Sequence, residues 1–397
     1  MSYVLLALGL FGLLSSTVVA GMVLWSVPGY LSERHRALAE LAARPGFTPP
    51  LSLLKPLHGA EPGLESYIES FFNQDYPQYE ILFCARSAED AGLAIARLVA
   101  ARHAEIPAKF LSTGGEPDYI NAKVASMGRM EAAAAYDILV VSDSDVRVTP
   151  DYLRAVALPF ADARAGGMTC PYRGVAAPEG ELGPGIWARL EAVGMSVEMT
   201  AGVLVARGFE GMKFVLGPTM AFRRETIRRM GGFKVTADYC ADDFVLGNET
   251  WKLGETVVLS HHAIDHMVIN ASFLDSMKHQ VRWMKSTRFS RPAGHFGTAL
   301  TFSMAYGLMA LAGAAGMGHW GVGLALLGWA LATRWALAIA VGRMVVEDRG
   351  WFGLLVLYPV RDLMGFCFWM ASYWGRRILW RGKVFELLSG GRMRAVE

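Results

Sequence analysis

Two aspartates two residues apart, Asp143-Ser144-Asp145, follow the apolar run Tyr136-Asp-Ile-Leu-Val-Val141. Carboxylates this close repel one another and are costly to desolvate. A divalent cation relieves both effects, taking one or two carboxylates together with phosphate oxygens and waters. The plainer reading of the same residues is an Asx-turn into a helix that Thr149-Pro150 would start. Ala241-Asp242-Asp243-Phe244 is a second acidic pair, at a helix start. There acids complement the macrodipole, or the paired carboxylates keep one pKa high enough for a general base. His279-Gln-Val-Arg282-Trp283-Met-Lys285 sets a guanidinium beside an indole. That offers a fork of donors for a phosphate and a stacking platform, or an amphipathic helix docked on a membrane face. Lys123, after Asn121, carries the charge to neutralise a diphosphate, or is a surface lysine. Asp90, next to Glu89, accepts a hydrogen bond from a nucleobase or simply opens a helix. His58 and Gly59, after the apolar run Leu51–Pro56, lie where a ligand's base could stack. His261, His262 and His266 lack a carboxylate–histidine metal spacing and read as strand-end surface residues.

These positions need a scaffold, and the segments between them supply one. Leu51–Pro56, Tyr79–Cys84, Lys109–Ser112 and Tyr136–Val141 read as buried strands. Between them lie helical periods over 62–73, 88–103 and 121–134. In the first, Leu64, Tyr67, Ile68, Phe71 and Phe72 fall at i, i+3, i+4, i+7 and i+8, one apolar face of a helix. Strands alternating with helices predict crossover units and a largely parallel α/β sheet. Ligands of such sheets bind beyond the C-terminal strand ends, which is where Asp143 and Asp145 fall. Gly217–Arg224 reads as a further strand entering a helix, its small residues admitting close approach of a ligand.

The chain as a whole is short of solvent-loving side chains. Of 397 residues, 53% are hydrophobic and 19% charged, against roughly a quarter charged in soluble domains. That composition excludes disorder, and a net charge of +2 argues against nucleic acid as a partner. Four scattered cysteines form neither a disulfide framework nor a zinc ribbon.

The apolar surplus lies at the two ends. Tyr3–Trp25 is uncharged and long enough to cross a core of about 30 Å as a helix. It has no basic residue before it, which favours an anchor over a cleaved signal peptide. The basic flank after it predicts a cytoplasmic middle domain. The expected organisation is an anchor over 1–28, a cytoplasmic catalytic domain over 46–295, a membrane region over 296–375 with two or three hydrophobic segments, and a basic cytoplasmic tail over 376–397. Arg361-Asp362 interrupts the last apolar segment, 351–374. Because charge at mid-bilayer is expensive, that segment is expected to be re-entrant or interfacial, the alternative being a full span with a buried ion pair. The stretch from Gly185 to Phe214, rich in Met, Val and Leu, reads as a membrane-facing guide for a lipid or as an ordinary core helix.

Taken together these motifs resemble glycosyltransferases of the GT-A fold, and more narrowly the ceramide glucosyltransferase-like family. The resemblance rests on Ser52–Gly59, Gln74–Pro77, Asp137–Thr149, Gly217–Arg224, Ala241–Asp243, Arg282-Trp283 and Trp380–Lys383, and covers nearly the whole chain. Thr169–Gly174, Gly185–Trp187 and the full Asp143-Ser144-Asp145 look closer to the bacterial hopanoid-pathway branch. The family pattern departs at two points. His279 stands where the (Q/R)xxRW motif has Gln or Arg, and no histidine lies near Ser196-Val197.

The resemblance implies an α/β GT-A catalytic domain held by an N-terminal anchor and C-terminal membrane helices in a bacterial-type inner membrane. It implies a single-displacement, inverting transfer of a hexose from UDP-glucose or UDP-N-acetylglucosamine to a hydroxyl of a ceramide-type or hopanoid lipid. Asp90 would lie at the uridine, with Pro56, Leu57 and His58 near the nucleotide. Asp143 and Asp145 would hold Mg²⁺ or Mn²⁺, and Lys123 and Arg282 would face the diphosphate. Asp243 would be the base, with Asp242 beside it and Trp283 next to Arg282. A processive polysaccharide synthase of the same fold and a catalytically inactive membrane scaffold are the alternatives.

Overall fold

The computed structural model describes residues 1–115, 119–177, 185–270, 272–380 and 382–396. Arg381, within the Trp380–Lys383 motif, lies outside the described residues. The chain forms two compact units, one of residues 31–172 and 209–267, the other of residues 1–30, 173–208 and 268–397. In chain order the elements are α1 (Ser2–Ala43), β1 (Leu51–Pro56), α2 (Leu64–Phe72), β2 (Tyr79–Ala85), α3 (Ala91–Ala100), β3 (Ala108–Ser112), α4 (Ala122–Ala133), β4 (Ile138–Ser142), β5 (Val146–Arg147), α5 (Tyr152–Ala157), β6 (Ala165–Thr169), β7 (Tyr172–Ala176), α6 (Ile186–Gly194), α7 (Thr200–Glu210), β8 (Thr219–Arg223), α8 (Arg224–Arg229), α9 (Asp242–Lys252), β9 (Thr256–Leu259) and β10 (Ile264–Val268). There follow α10 (Phe273–Ser290), α11 (Pro292–Thr298), α12 (Ser303–Ala315), α13 (Trp320–Leu337), α14 (Trp351–Ala371), β11 (Arg377–Trp380), β12 (Lys383–Leu387) and β13 (Met393–Ala395).

The first unit is the α/β unit. Its seven-stranded sheet has the order β3-β2-β1-β4-β8-β6-β9. The β1–β2, β2–β3 and β1–β4 pairs are parallel, with Leu53 opposite both Ile81 and Val140. Strands buried on both faces read as unbroken apolar runs, and β1, β2 and β4 are buried along their whole length. The predicted α2 face, Leu64, Tyr67, Ile68, Phe71 and Phe72, is the buried one. The sheet is not parallel throughout: β8 runs antiparallel to both β4 and β6. Its reversal sets Gly217 and Pro218 beside the end of β4, where the Asp143 N–H donates to the Pro218 carbonyl at 3.2 Å. Under the sheet, Leu54, Leu82, Leu139, Met220, Phe222 and Leu246 belong to one fully buried core.

The second unit is helical. Among the described residues, four helices are long and apolar enough to cross a membrane: Ser2–Ala43, Ile186–Glu210, Trp320–Val345 and Gly353–Ala371. Pro292–Thr301 and Ser303–Ala315 would make a fifth if taken as one span bent by 50°. The N-terminal helix outruns the uncharged stretch, because nothing in Ser32–Ala43 breaks a helix. Between residues 1–30 and α12, small residues bring the backbones together, as in lipid-embedded packing. A Cβ on Gly9 would stand 2.5 Å from the Ala310 nitrogen, and one on Gly313 2.4 Å from the Leu6 nitrogen. Helix α14 is continuous, with Pro359 inside it. Arg361 and Asp362 do not pair with each other: Asp362 meets Arg334 of α13, and Arg361 meets Glu198. The tail is not a bare basic segment. Strands β11, β12 and β13 form an antiparallel sheet, and Lys285 of α10 donates to the Arg377 carbonyl at 3.1 Å.

Candidate active site

The α/β unit gathers its candidate residues at the C-terminal strand ends. Asp143 and Asp145 follow β4 directly. Lys123, in the first turn of α4, is 9% exposed; its Nζ lies 2.7 Å from Asp143 Oδ1 and 3.6 Å from Asp242 Oδ2. Burial alone would lower the Lys123 pKa, but the Asp143 and Asp242 carboxylates overcome it and hold the ammonium charged. Lys123 is therefore no surface lysine; one cation joins the two acidic pairs that the sequence places 100 residues apart.

Asp243 accepts hydrogen bonds from the Gly217 N–H at 2.9 Å and the Phe244 N–H at 2.8 Å. Gly217 faces both pairs: a Cβ there would stand 3.3 Å from Asp243 Oδ2 and 3.8 Å from Asp143 Oδ2. Burial, then the neighbouring Asp242 charge, push the Asp243 pKa up to about 6, against the opposing pull of its backbone donors and Lys123. A carboxyl poised near neutrality has the proton affinity a general base needs.

Two residues of this site escaped the sequence reading. Lys55, in β1, is fully buried; its Nζ donates to the Asp143 carbonyl at 2.6 Å and lies 3.8 Å from the Phe71 ring centre. Burial brings its pKa down to about 7, with Asp143, Asp145 and Glu61 resisting the shift. A lone charge inside an otherwise apolar strand was the available signal. The other is His266. It is 7% exposed on β10, which pairs with β5 so that His266 faces Val146. Its Nε2 lies 3.0 Å from Asp145 Oδ2, and Tyr172 packs edge-on at 5.3 Å. The strand-end surface reading fails for His266, because strand pairing turns it inward onto the acidic turn. Burial raises the Asp145 pKa, but the His266 charge and hydrogen bond outweigh this and leave it below the usual carboxylate range.

The residues fit a divalent cation. Asp143, Asp145, Asp242 and Asp243 face the ammonium groups of Lys55 and Lys123, which leaves the carboxylates in excess. Asp145 Oδ1 is buried without a hydrogen-bond partner. Among the described residues no three His, Cys, Asp or Glu side chains form a ready-made metal cage. The donor set is of the kind Mg²⁺ accepts, few carboxylates with phosphate oxygens and waters completing the shell.

The residues expected at the nucleotide also come together. Asp90 caps α3, accepting from the Gly92 N–H at 2.8 Å, and both its oxygens accept from the Gly59 N–H at 3.1 and 3.0 Å. Gly59 has φ +69°, a conformation that glycine adopts without penalty. Thus Asp90 ties the loop after β1, with buried Pro56 and Leu57 and exposed His58, to the loop after β2. Glu89 is exposed and bonds locally to Ser87. The Gln74–Pro77 motif is architectural. The Gln74 amide donates to the Thr149 carbonyl at 3.0 Å and accepts from the Leu153 N–H at 3.2 Å.

Arg282 and Trp283 belong to the helical unit, on α10. His279, one turn earlier, has its Nδ1 2.6 Å from Oε1 of the buried Glu191, and its ring centre lies 4.3 Å from that of Trp283. Glu191 also accepts from Ser276 at 2.6 Å and Asn270 at 2.9 Å. The departure from the Gln-or-Arg pattern thus carries its own anchoring network.

Residues 10–393 match the model of Glycosyl transferase family 21, and the chain belongs to that family. It is 25% identical to ceramide glucosyltransferase 1 of Caenorhabditis elegans over 357 residues, 87% of this chain and 73% of that protein. Ceramide glucosyltransferase 3 of the same organism is 27% identical over 63% of this chain, which spans about half (52%) of that relative. Solved structures similar to it include a mannosyltransferase from Pyrobaculum calidifontis in complex with GDP-Man and Mn²⁺, 18% identical with a TM-score of 0.45 over 88% of this chain and 99% of that one. Another is a glucosyl-3-phosphoglycerate synthase from Mycobacterium tuberculosis with Mg²⁺ and UDP, 20% identical with a TM-score of 0.37 over 64% of this chain and 82% of that one. The α/β unit lies within the family match and is accordingly a glycosyltransferase domain.

Proposed function

We propose that this family 21 glycosyltransferase moves a hexose, glucose or N-acetylglucosamine, from a UDP-sugar to a hydroxyl of a membrane lipid, with inversion at the anomeric carbon. The observation that carries the reading is the convergence on Gly217 of Asp143 and Asp243, bridged through Lys123 and Asp242. One side of that arrangement suits a diphosphate leaving group and the other an attacking hydroxyl. The relatives' name supports a ceramide-type acceptor, with a hopanoid as the other lipid to test.

Asp143 and Asp145 would hold Mg²⁺ or Mn²⁺, whose chemistry when bound is Lewis-acid stabilisation of charge on the leaving diphosphate. Lys123 supplies fixed positive charge at the same place. Lys55, bonded to the Asp143 carbonyl, and His266, bonded to the Asp145 carboxylate, hold the acidic turn in shape. Asp90 holds the loop of His58 and Gly59 at the uridine. Asp243 takes the proton from the acceptor hydroxyl as its oxygen attacks, a contribution worth roughly 10²–10⁴ in rate; Asp242 raises its proton affinity. The apolar helices would place the enzyme in the inner membrane with the α/β unit cytoplasmic.

The test is a transfer assay in detergent with Mg²⁺ or Mn²⁺, crossing UDP-glucose and UDP-N-acetylglucosamine against ceramide and a polyhydroxylated hopanoid, with lipid products read by mass. Product from one pair identifies sugar and acceptor together. Absence of any metal-dependent UDP binding would overturn the transferase reading and leave an inactive scaffold.

A further inference from the structure

The C-terminal sheet has a face that the transfer chemistry does not use. Only residues 372–376 separate the end of α14 from β11, a stretch that reaches at most about 20 Å when extended. The sheet is also tied down within its unit. Arg288 of α10 donates to the Ser372 carbonyl at 2.6 Å, and Lys285 to the Arg377 carbonyl at 3.1 Å. Along a strand, side chains alternate sides, and cross-strand partners share a side. Ile378, Phe385, Leu387 and Met393 make up one side, and all four are buried. The other side pairs Leu379 with Val384, 59% and 39% exposed. Beside them runs the row Arg377, Glu386 and Arg394, and Arg392 joins it by alternation.

Charge and position together name what this face fits. Three exposed arginines stand against one glutamate, which Arg394 already meets at 2.6 Å, so the face keeps positive charge around an apolar pair. Trp374, just past the end of α14, is 80% exposed, and tryptophan concentrates where a membrane meets water. Basic segments beside membrane helices attract anionic lipids. Arginine suits that boundary, because its stem lies on apolar surface while its guanidinium forks onto phosphate oxygens. A dissolved anion would leave Leu379 and Val384 in water. An apolar protein surface would leave the arginines without a counter-charge.

We propose that the face carrying Leu379 and Val384 lies on the surface of an anionic bilayer. The apolar pair enters the headgroup boundary, and Arg377, Arg392 and Arg394 take the phosphates of anionic phospholipids. The C-terminal sheet is then a membrane contact in its own right, added to the apolar helices. This docking needs α14 in the bilayer and is independent of sugar transfer.

The experiment uses the full chain in lipid nanodiscs, with a fluorescent dye on Leu379→Cys. Cys240→Ser and Cys367→Ser remove the two thiols that are not buried. Phosphatidylglycerol and phosphatidylcholine, each carrying a nitroxide at the headgroup, serve in turn as quenchers at equal mole fraction. Phosphatidylglycerol should quench about fivefold more strongly, the worth of one arginine at an anionic surface. In about 1 M salt, where the screening length is roughly 3 Å, the preference should fall to within about twofold. The same fall is expected in Arg377→Gln/Arg392→Gln/Arg394→Gln, with thermal unfolding barely moved because all three side chains are exposed. Equal quenching by the two lipids at low salt would overturn the docking. Quenching by neither would overturn it as well, leaving the face in water or under protein. A preference that survives the loss of all three arginines would also overturn it, since the charge that selects the lipid would then lie elsewhere.

Discussion

At the strand ends of the α/β unit, Asp143, Asp145, Asp242 and Asp243 face Lys55 and Lys123. Among the apolar helices, Glu198 and Asp362 face Arg334 and Arg361. The first group has acids to spare, an arrangement that is costly unless positive charge arrives. The second is balanced, as charge inside an apolar bundle has to be. The surplus goes with the proposed binding of a cation and a diphosphate, while the balance is what charge among apolar helices requires. Substitutions in the two groups should therefore fail in different ways, the first in catalysis and the second in folding.

The largest effect is expected for Asp243→Asn, which keeps shape and removes the base. Transfer should fall by roughly 10²–10⁴, while UDP binding stays within a few fold and thermal unfolding barely moves. Loss of UDP binding would make Asp243 structural and erase the contrast. Next, Asp145→Ala should abolish activity together with metal dependence, measured as a Mn²⁺ titration of UDP binding. An unchanged titration would put the ion elsewhere.

The balanced group should answer in stability. Arg334→Met strands the Asp362 carboxylate, and removing one partner of a buried pair costs about 3–5 kcal/mol. Arg334→Met with Asp362→Leu should recover most of that loss in thermal unfolding, because no lone charge is left. If the double variant were as unstable as the single one, charge balance would not be what the helices require. The smallest effect is a pH profile. Asp243 must be ionised to accept a proton, and its pKa of about 6 means that activity lost in acid returns as pH rises through that value. Below it, kcat/KM should fall about tenfold per pH unit. An acid limb near the ordinary carboxylate value of about 4 would mean that burial does not tune this group.

Much of the α/β unit was legible along the chain. β1, β2 and β4 announce themselves as apolar runs, and α2 by its i, i+3, i+4 face, because local periodicity reports burial. Asp143 and Asp145 were legible from their place after the β4 run, and Asp243 from its acidic pair at a helix start. Lys55 and His266 were not, since each is brought to the acidic turn by strand pairing rather than by sequence neighbours. The partners of Arg361 and Asp362 were hidden for the same reason. Glu198 and Arg334 are 163 and 28 residues away, and only helix packing selects them over each other.

By itself, then, the sequence determined the class of molecule: apolar ends, an α/β middle, and acidic pairs at a strand end and a helix start. Those properties follow from hydrophobic periodicity and composition, which act within a few residues of one another. Only the tertiary structure decided which cation serves which carboxylate: Lys123 joining Asp143 to Asp242, Lys55 beneath the acidic turn, His266 on Asp145, and Arg334 on Asp362. Electrostatic and hydrogen-bond energies depend on distance in space, and at these sites that distance is set by sheet order and helix packing, which sequence separation does not encode.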